Sequence, residues 1–154
     1  WHANLLGNYS FFDKSQSDFN LRRTIITDDN GRYQFQSIVP KGYGCPPNGS
    51  TAKLLGLLGR HGQRPAHIHF FVSAAGHRKL TTQINIDGDE YLWDDFAFAS
   101  REGLVPPVVE VSDPAELAKR GVSKPFASID FDFHLNAEVA AAPTTEVERR
   151  RARA

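Results

Sequence analysis

Only one cysteine, Cys45, occurs in the 154 residues, and methionine is absent. A single thiol cannot build a disulfide framework and suits a reducing compartment, so the cytoplasm is the expected location. It also excludes four-cysteine and mixed cysteine/histidine zinc sites, and iron–sulfur clusters held by cysteine alone. No apolar run approaches the roughly 18 residues of a membrane span, and no signal peptide is visible, so membrane insertion is not expected. Charge of one sign is lacking too: 18 basic and 18 acidic residues cancel. That balance gives no reason to expect nucleic acid or an anionic membrane as partner. A βαβ rhythm and internal repeats are likewise missing, which sets aside parallel α/β architectures.

What is present is strand. Leu21 to Thr27 and Arg32 to Ile38 flank Asp28-Asp29-Asn30-Gly31, whose Asn-Gly pair predicts a β-hairpin. Ala66 to Val72 and Lys79 to Asn85 read as strands on either side of Ala74-Ala75-Gly76-His77. From Ala127 to Leu135, Ile129, Phe131 and Phe133 alternate with Asp130, Asp132 and His134, the pattern of a sheet with one buried face. Two short helices interrupt. One, over Ala52 to Leu58, is preceded by Ser50-Thr51 as a hydroxyl cap; the other opens at Asp113-Pro114, with Asp as the cap and Pro in the first turn. The expected fold is all-β, a sandwich with long loops and a few short helices. A domain over residues 1–136 is followed by an Ala- and Arg-rich stretch, 137–154, that reads as a flexible, solvated tail.

The most informative segment is Arg60-His61-Gly62-Gln63-Arg64-Pro65-Ala66-His67-Ile68-His69. In a strand, residues two apart share a face, so His67 and His69 can aim both imidazoles at one point. By spacing alone they are equally a metal half-site or a pair of hydrogen-bonded sheet histidines. No Glu follows at short range and no Asp-His pair follows directly, so the continuation of a cupin or a metallo-β-lactamase is missing. Tyr9, in Gly7-Asn8-Tyr9-Ser10, and Tyr43, in Gly42-Tyr43-Gly44-Cys45-Pro46-Pro47, stand in glycine-bearing turns that can place a ring without a packing partner behind it. A phenol titrates near about 10 and becomes a ligand when a hard trivalent cation drives its ionisation. Two phenolates and two imidazoles suit ferric iron.

Taken in order, Trp1-His2-Ala3-Asn4, Gly7-Asn8-Tyr9-Ser10, Arg22-Arg23-Thr24, the Gly-Tyr-Gly-Cys-Pro-Pro block, the histidine block and Leu80-Thr81-Thr82-Gln83-Ile84 closely resemble the intradiol ring-cleavage dioxygenases. The resemblance runs from residue 1 to about residue 135. It implies that Tyr9, Tyr43, His67 and His69 hold Fe(3+), that Tyr43, Arg64 and Gln83 serve catalysis, and that Cys45, Phe96 and Ala97 line the substrate pocket. The implied partners are catechol and dioxygen, with cis,cis-muconate as product; Gly-Cys-Pro-Pro after Tyr43 favours the catechol branch over the chlorocatechol and hydroxyquinol branches. It also implies that the chain is the carboxy-terminal part of a longer enzyme, lacking an amino-terminal helical region, through which a homodimer would form, and the first strands of the sandwich. Two other readings stay open on the residues alone. One is a zinc hydrolase using His61, His67 and His69, since three histidines leave an open fourth position. The other is a non-enzymatic β-sandwich binding module in which these side chains only pack.

Overall fold

Alternation along two strands organises this protein. In the computed structural model, which describes residues 1–139, strand β3 (His67–Val72) pairs antiparallel with β4 (Leu80–Asn85), His67 facing Asn85, Ile68 facing Ile84 and His69 facing Gln83. Because side chains alternate between faces, Ile68 and Ile84 share one face, where they join Ala66 and Ile86 in a buried cluster. His67, His69, Gln83 and Asn85 share the other. Phe70, Ile129 and Phe131 close over the apolar face. Phe133 packs at a tilt against Phe70 with ring centroids 4.8 Å apart, and the Tyr33 hydroxyl donates to the Phe131 carbonyl at 2.6 Å. The segments around Tyr33 and Phe131 thus form a second layer over β3 and β4.

Among the described residues there are two more strand pairs. Strand β1 (Tyr43–Gly44) lies antiparallel to β2 (Gln63–Arg64), with Tyr43 directly opposite Arg64. Strand β5 (Val109–Val111) pairs with β6 (Phe126–Ser128). Helix α1 (Ser50–Leu57) buries Leu55, and α2 (Pro114–Lys119) begins where Asp113 accepts the amides of Ala115 and Glu116 at 2.9 and 3.1 Å. A one-turn 3₁₀ segment, Glu102–Leu104, lies between β4 and β5. Among the described residues no helix is long and apolar enough to cross a membrane.

The expected mainly-β class with few short helices is what the structure has, while three local expectations are corrected. The turn at Asp28 forms, with the Asp28 amide donating to the Arg32 carbonyl at 2.9 Å and its carboxylate accepting from Asn30 and Arg32, but no ladder extends from it. A two-stranded ribbon is marginal unless its apolar face is covered, and Ile25, Ile26, Phe35 and Ile38 are exposed. Ile129 to Phe133 keep the predicted inward and outward alternation, yet regular pairing stops at Ser128; those residues bind the core through side chains rather than through a ladder. Helix α1 is capped by Gly49 in extended conformation, with no side-chain capping bond, so Ser50 and Thr51 fall inside or at the helix start. From residue 140 onward the predicted tail lies outside the described residues.

Ile84 is 3% exposed at the centre of the cluster. Ile84→Ala is expected to lower unfolding stability by about 2–5 kcal/mol and Ile84→Val by about 0.5–1.5 kcal/mol. Denaturant titration checks both, and equal effects would mean that the site is not close-packed.

Candidate metal centre

Backbone proximity creates the centre before any side chain is considered. Gly7 adopts φ of +80°, and a Cβ placed there would come 2.6 Å from the Gly42 carbonyl oxygen. At Gly42 a Cβ would lie 2.5 Å from the Arg64 carbonyl oxygen and 3.2 Å from the Ala66 amide. Only hydrogen fits at these points. The two glycines therefore let the turn before Tyr9 press on the strand before Tyr43, and that strand on the one leading to His67. As a result the Tyr9 and Tyr43 rings meet edge to face, centroids 5.1 Å apart, and Tyr43 lies 5.4 Å from the His67 ring.

On the polar face of β3 the imidazole Nε2 atoms of His67 and His69 are 3.0 Å apart. Trp1 stacks flat on His69 at 4.7 Å and holds its ring from outside. His67 Nδ1 lies 2.6 Å from the Pro65 carbonyl, so that nitrogen carries the hydrogen and donates it. The Nε2 lone pair then faces inward, with Arg64 Nη1 3.1 Å away as its donor. Burial first, and then the Arg64 guanidinium, depress the His67 pKa to about 4; burial, His67 and Arg64 depress that of His69 to about 3. Both rings are neutral lone-pair donors at ordinary pH. Burial and the adjacent Tyr43 phenol push the Tyr9 phenol well above the usual range. Among the described residues its buried hydroxyl makes no hydrogen bond of good geometry, an arrangement that costs about 1–3 kcal/mol unless something else engages the oxygen.

That orphaned oxygen, beside a second phenol and two inward-facing imidazoles, is the donor set a ferric ion takes. The residues fit the group. Among the described residues, by contrast, no three His, Cys, Asp or Glu side chains gather as a metal site. His61, the third histidine of the zinc reading, is engaged elsewhere: its Nε2 lies 3.0 Å from Asp94, and its Nδ1 accepts the Gln63 amide at 3.0 Å. The structure therefore gives the zinc reading no support.

Arg64, on β2 opposite Tyr43, is buried, and its Nη1 reaches the Tyr43 hydroxyl at 3.3 Å and His67 Nε2 at 3.1 Å. Nη2 donates to Gln83 Oε1 at 2.8 Å, and the Gln83 amide in turn donates to Asn85 Oδ1 at 2.7 Å. A buried guanidinium needs a counter-charge. Asp95 supplies it, Oδ1 and Oδ2 each 3.2 Å from Arg64 nitrogens. Burial alone would lower the arginine's pKa, but the Asp95 and Tyr43 contacts outweigh it and keep the group charged. Sequence reasoning missed Asp95 and Asn85. Asn85 was within reach, since it stands two residues after Gln83 and shares its face; for Asp95 the chain order carried no such signal.

The predicted pocket residues are spread more widely. Phe96 is half-buried, with its amide donating to the Gln63 carbonyl at 3.2 Å, whereas Ala97 is exposed on the turn after Asp95. Cys45 is half-buried, its sulfur packed against Gly62 beneath Leu55 of α1.

A dioxygenase family model matches residues 1–137. The chain belongs to the intradiol dioxygenase family. It is 62% identical over 135 residues to catechol 1,2-dioxygenase of Acinetobacter guillouiae, covering 88% of this chain and 44% of that one. To catechol 1,2-dioxygenase of Acinetobacter baylyi it is 56% identical over 153 residues, covering 98% and 49%. The crystal structure of wild-type Acinetobacter radioresistens catechol 1,2 dioxygenase superposes with a TM-score of 0.88 at 66% identity, over 99% of this chain and 49% of that chain. The chain thus spans about half the length of the curated relatives it matches. The binding-module reading gains nothing from this kinship.

Gly42→Ala is expected to force the Tyr43 and Arg64 strands apart and to cost about 1–3 kcal/mol, as overpacking does. Gly103→Ala, where nothing lies within 4 Å, should be close to neutral. Thermal melts of the two variants side by side check the contrast.

Proposed function

We propose that this chain is the metal-bearing part of an intradiol enzyme that opens catechol with dioxygen to cis,cis-muconate. The observation that carries the reading is the convergence of the Tyr9 and Tyr43 phenols with the His67 and His69 imidazoles, the buried Tyr9 hydroxyl making no hydrogen bond of good geometry among the described residues. Kinship with catechol 1,2-dioxygenases supports the choice of substrate. When bound by these four side chains, ferric iron supplies Lewis acidity that readies a catecholate for dioxygen. The net reaction adds both atoms of dioxygen to catechol, and the bond between the two hydroxylated carbons breaks.

The chain's own residues have separable tasks. His67 and His69, kept neutral by burial, donate lone pairs without adding charge to a site of low dielectric. Tyr9, the more enclosed phenol, balances the cation's charge. Tyr43 lies at the edge of the group, half-exposed beside Arg64, and its Oη as phenolate takes one proton from the incoming catechol. Arg64, fixed between Asp95 and Gln83, holds its Nη1 next to that oxygen and stabilises negative charge developing on the substrate. A preorganised donor of that kind contributes about 2–4 kcal/mol to the barrier. A homodimer in the cytoplasm is part of the same reading, supported by the family resemblance and the single cysteine.

The intact enzyme is expected to carry one ferric ion per chain, to be coloured without substrate, and to place labelled dioxygen in both carboxyl groups of muconate. A colourless protein that prefers zinc, or a hydroxymuconic semialdehyde as product, would sink the proposal. Within the site, Tyr43→Phe should retain iron while kcat drops about 10²-fold or more, the scale of a lost proton-transfer group. His67→Ala should lose the metal itself. Metal analysis beside oxygen uptake separates the two, and equal iron loss would reduce Tyr43 to a structural ligand.

A further inference from the structure

We infer that Asp95 is a positioning residue that aims Arg64 at the Tyr43 hydroxyl and ties that aim to the turn carrying Phe96 and Ala97. The catalytic consequence rests on the ring-cleavage reading above; the geometric consequence does not. Gln83 holds the guanidinium through a single hydrogen bond, which leaves its plane free to swing. Asp95 grips it at two points, Nε to Oδ1 and Nη2 to Oδ2, both at 3.2 Å, and a two-point fork fixes the plane as well as the place. With that edge held, Nη1 is left pointing at Tyr43 and His67.

The carboxylate has a second set of partners. Oδ1 also accepts the Ala97 amide at 3.0 Å, and Oδ2 the Ala99 amide at 3.2 Å. Those amides flank Phe98, whose φ of 52° is a left-handed conformation unusual for a bulky residue, and the Phe98 amide donates to the Asp95 carbonyl at 2.9 Å. One buried side chain, 4% exposed, therefore accepts four N–H groups, two from Arg64 and two from the turn. Any movement of the turn is transmitted to the guanidinium through two shared oxygen atoms. The carboxylate is needed for this, not merely a polar group of its shape. An asparagine presents one acceptor oxygen and one NH₂, and that NH₂ would face two donors.

Crystal structures, iron content, thermal midpoint and steady-state kinetics of Asp95→Asn, Asp95→Glu, Arg64→Ala and the Arg64→Ala/Asp95→Asn double variant of the intact holoenzyme test this. In Asp95→Asn the guanidinium should leave the Tyr43 hydroxyl and the turn should shift with it, while iron content stays at one per chain. Its kcat with catechol should fall about 10²-fold, as for a misplaced catalytic contact, with KM changed much less. Asp95→Glu, which keeps the charge on a longer arm, should recover part of the loss. Adding Asp95→Asn to Arg64→Ala should cost nothing further in kcat, because the positioned group is already gone. If Asp95→Asn does not fold, the displacement in Asp95→Glu carries the test. A guanidinium still 3.3 Å from the Tyr43 hydroxyl in the variant overturns the inference, as does a loss that multiplies in full onto Arg64→Ala. Should the parent enzyme leave catechol untouched, the ring-cleavage reading fails, and the crystallographic displacement alone decides the role of Asp95.

Discussion

The register between β3 and β4 is the constraint on which everything else rests, because it decides what each face of one hairpin carries. With His67 opposite Asn85 and His69 opposite Gln83, four polar side chains are gathered on the face turned toward Tyr9 and Tyr43. The opposite face receives Ile68 and Ile84 and the aromatic cover of Phe70 and Phe131. A slip of one residue would exchange the two sets, burying imidazoles in an apolar core and exposing isoleucines. The hydrophobic effect on one face therefore enforces the chemistry on the other. Burying a set such as Ile68 and Ile84 contributes about 1.5–3 kcal/mol per side chain, enough to hold a register that the polar groups alone would not select.

The polar face is enclosed, and its chemistry follows from that. Burial keeps both imidazoles neutral and makes ionisation of Tyr9 costly in the absence of a cation. The same surroundings oblige Arg64 to have a partner: leaving a buried guanidinium without its carboxylate costs about 3–5 kcal/mol. Asp95 answers that requirement, and its own charge is compensated in turn by Arg64 and the Ala97 and Ala99 amides, which hold its carboxyl below the usual range although burial alone would raise it. Charge is thus neutralised pairwise around the tyrosine and histidine rings, and among the described residues the Tyr9 hydroxyl makes no hydrogen bond of good geometry.

Much of this was legible in the residues taken one segment at a time. The face shared by His67 and His69, the helix opening at Asp113-Pro114 and the alternation of Ile129, Phe131 and Phe133 depend on spacings of a few residues. The first two appear in the structure as read, and the third keeps its alternation of burial without the strand pairing expected beyond Ser128. The hairpin around Asn30-Gly31 was half right: its turn is local and forms, whereas its ladder needs a covered face that the local sequence cannot provide. The hydroxyl cap expected for α1 also failed, since Gly49 in extended conformation starts the helix without a side-chain bond.

By itself, then, the sequence determined the elements whose geometry repeats every two or three residues: which side chains share a strand face, where a helix opens, where a chain can turn. It also carried the motifs whose order marks the family. Tertiary structure alone decided the meetings between distant segments. Tyr9 comes against Tyr43 because Gly7 and Gly42 lack side chains at the point of contact, and Asp95 meets Arg64 across 31 residues because a buried charge must find its counter-charge. Local patterning has no term for either meeting. Backbone periodicity acts between neighbours, while steric clearance and charge compensation act between whatever the fold brings together.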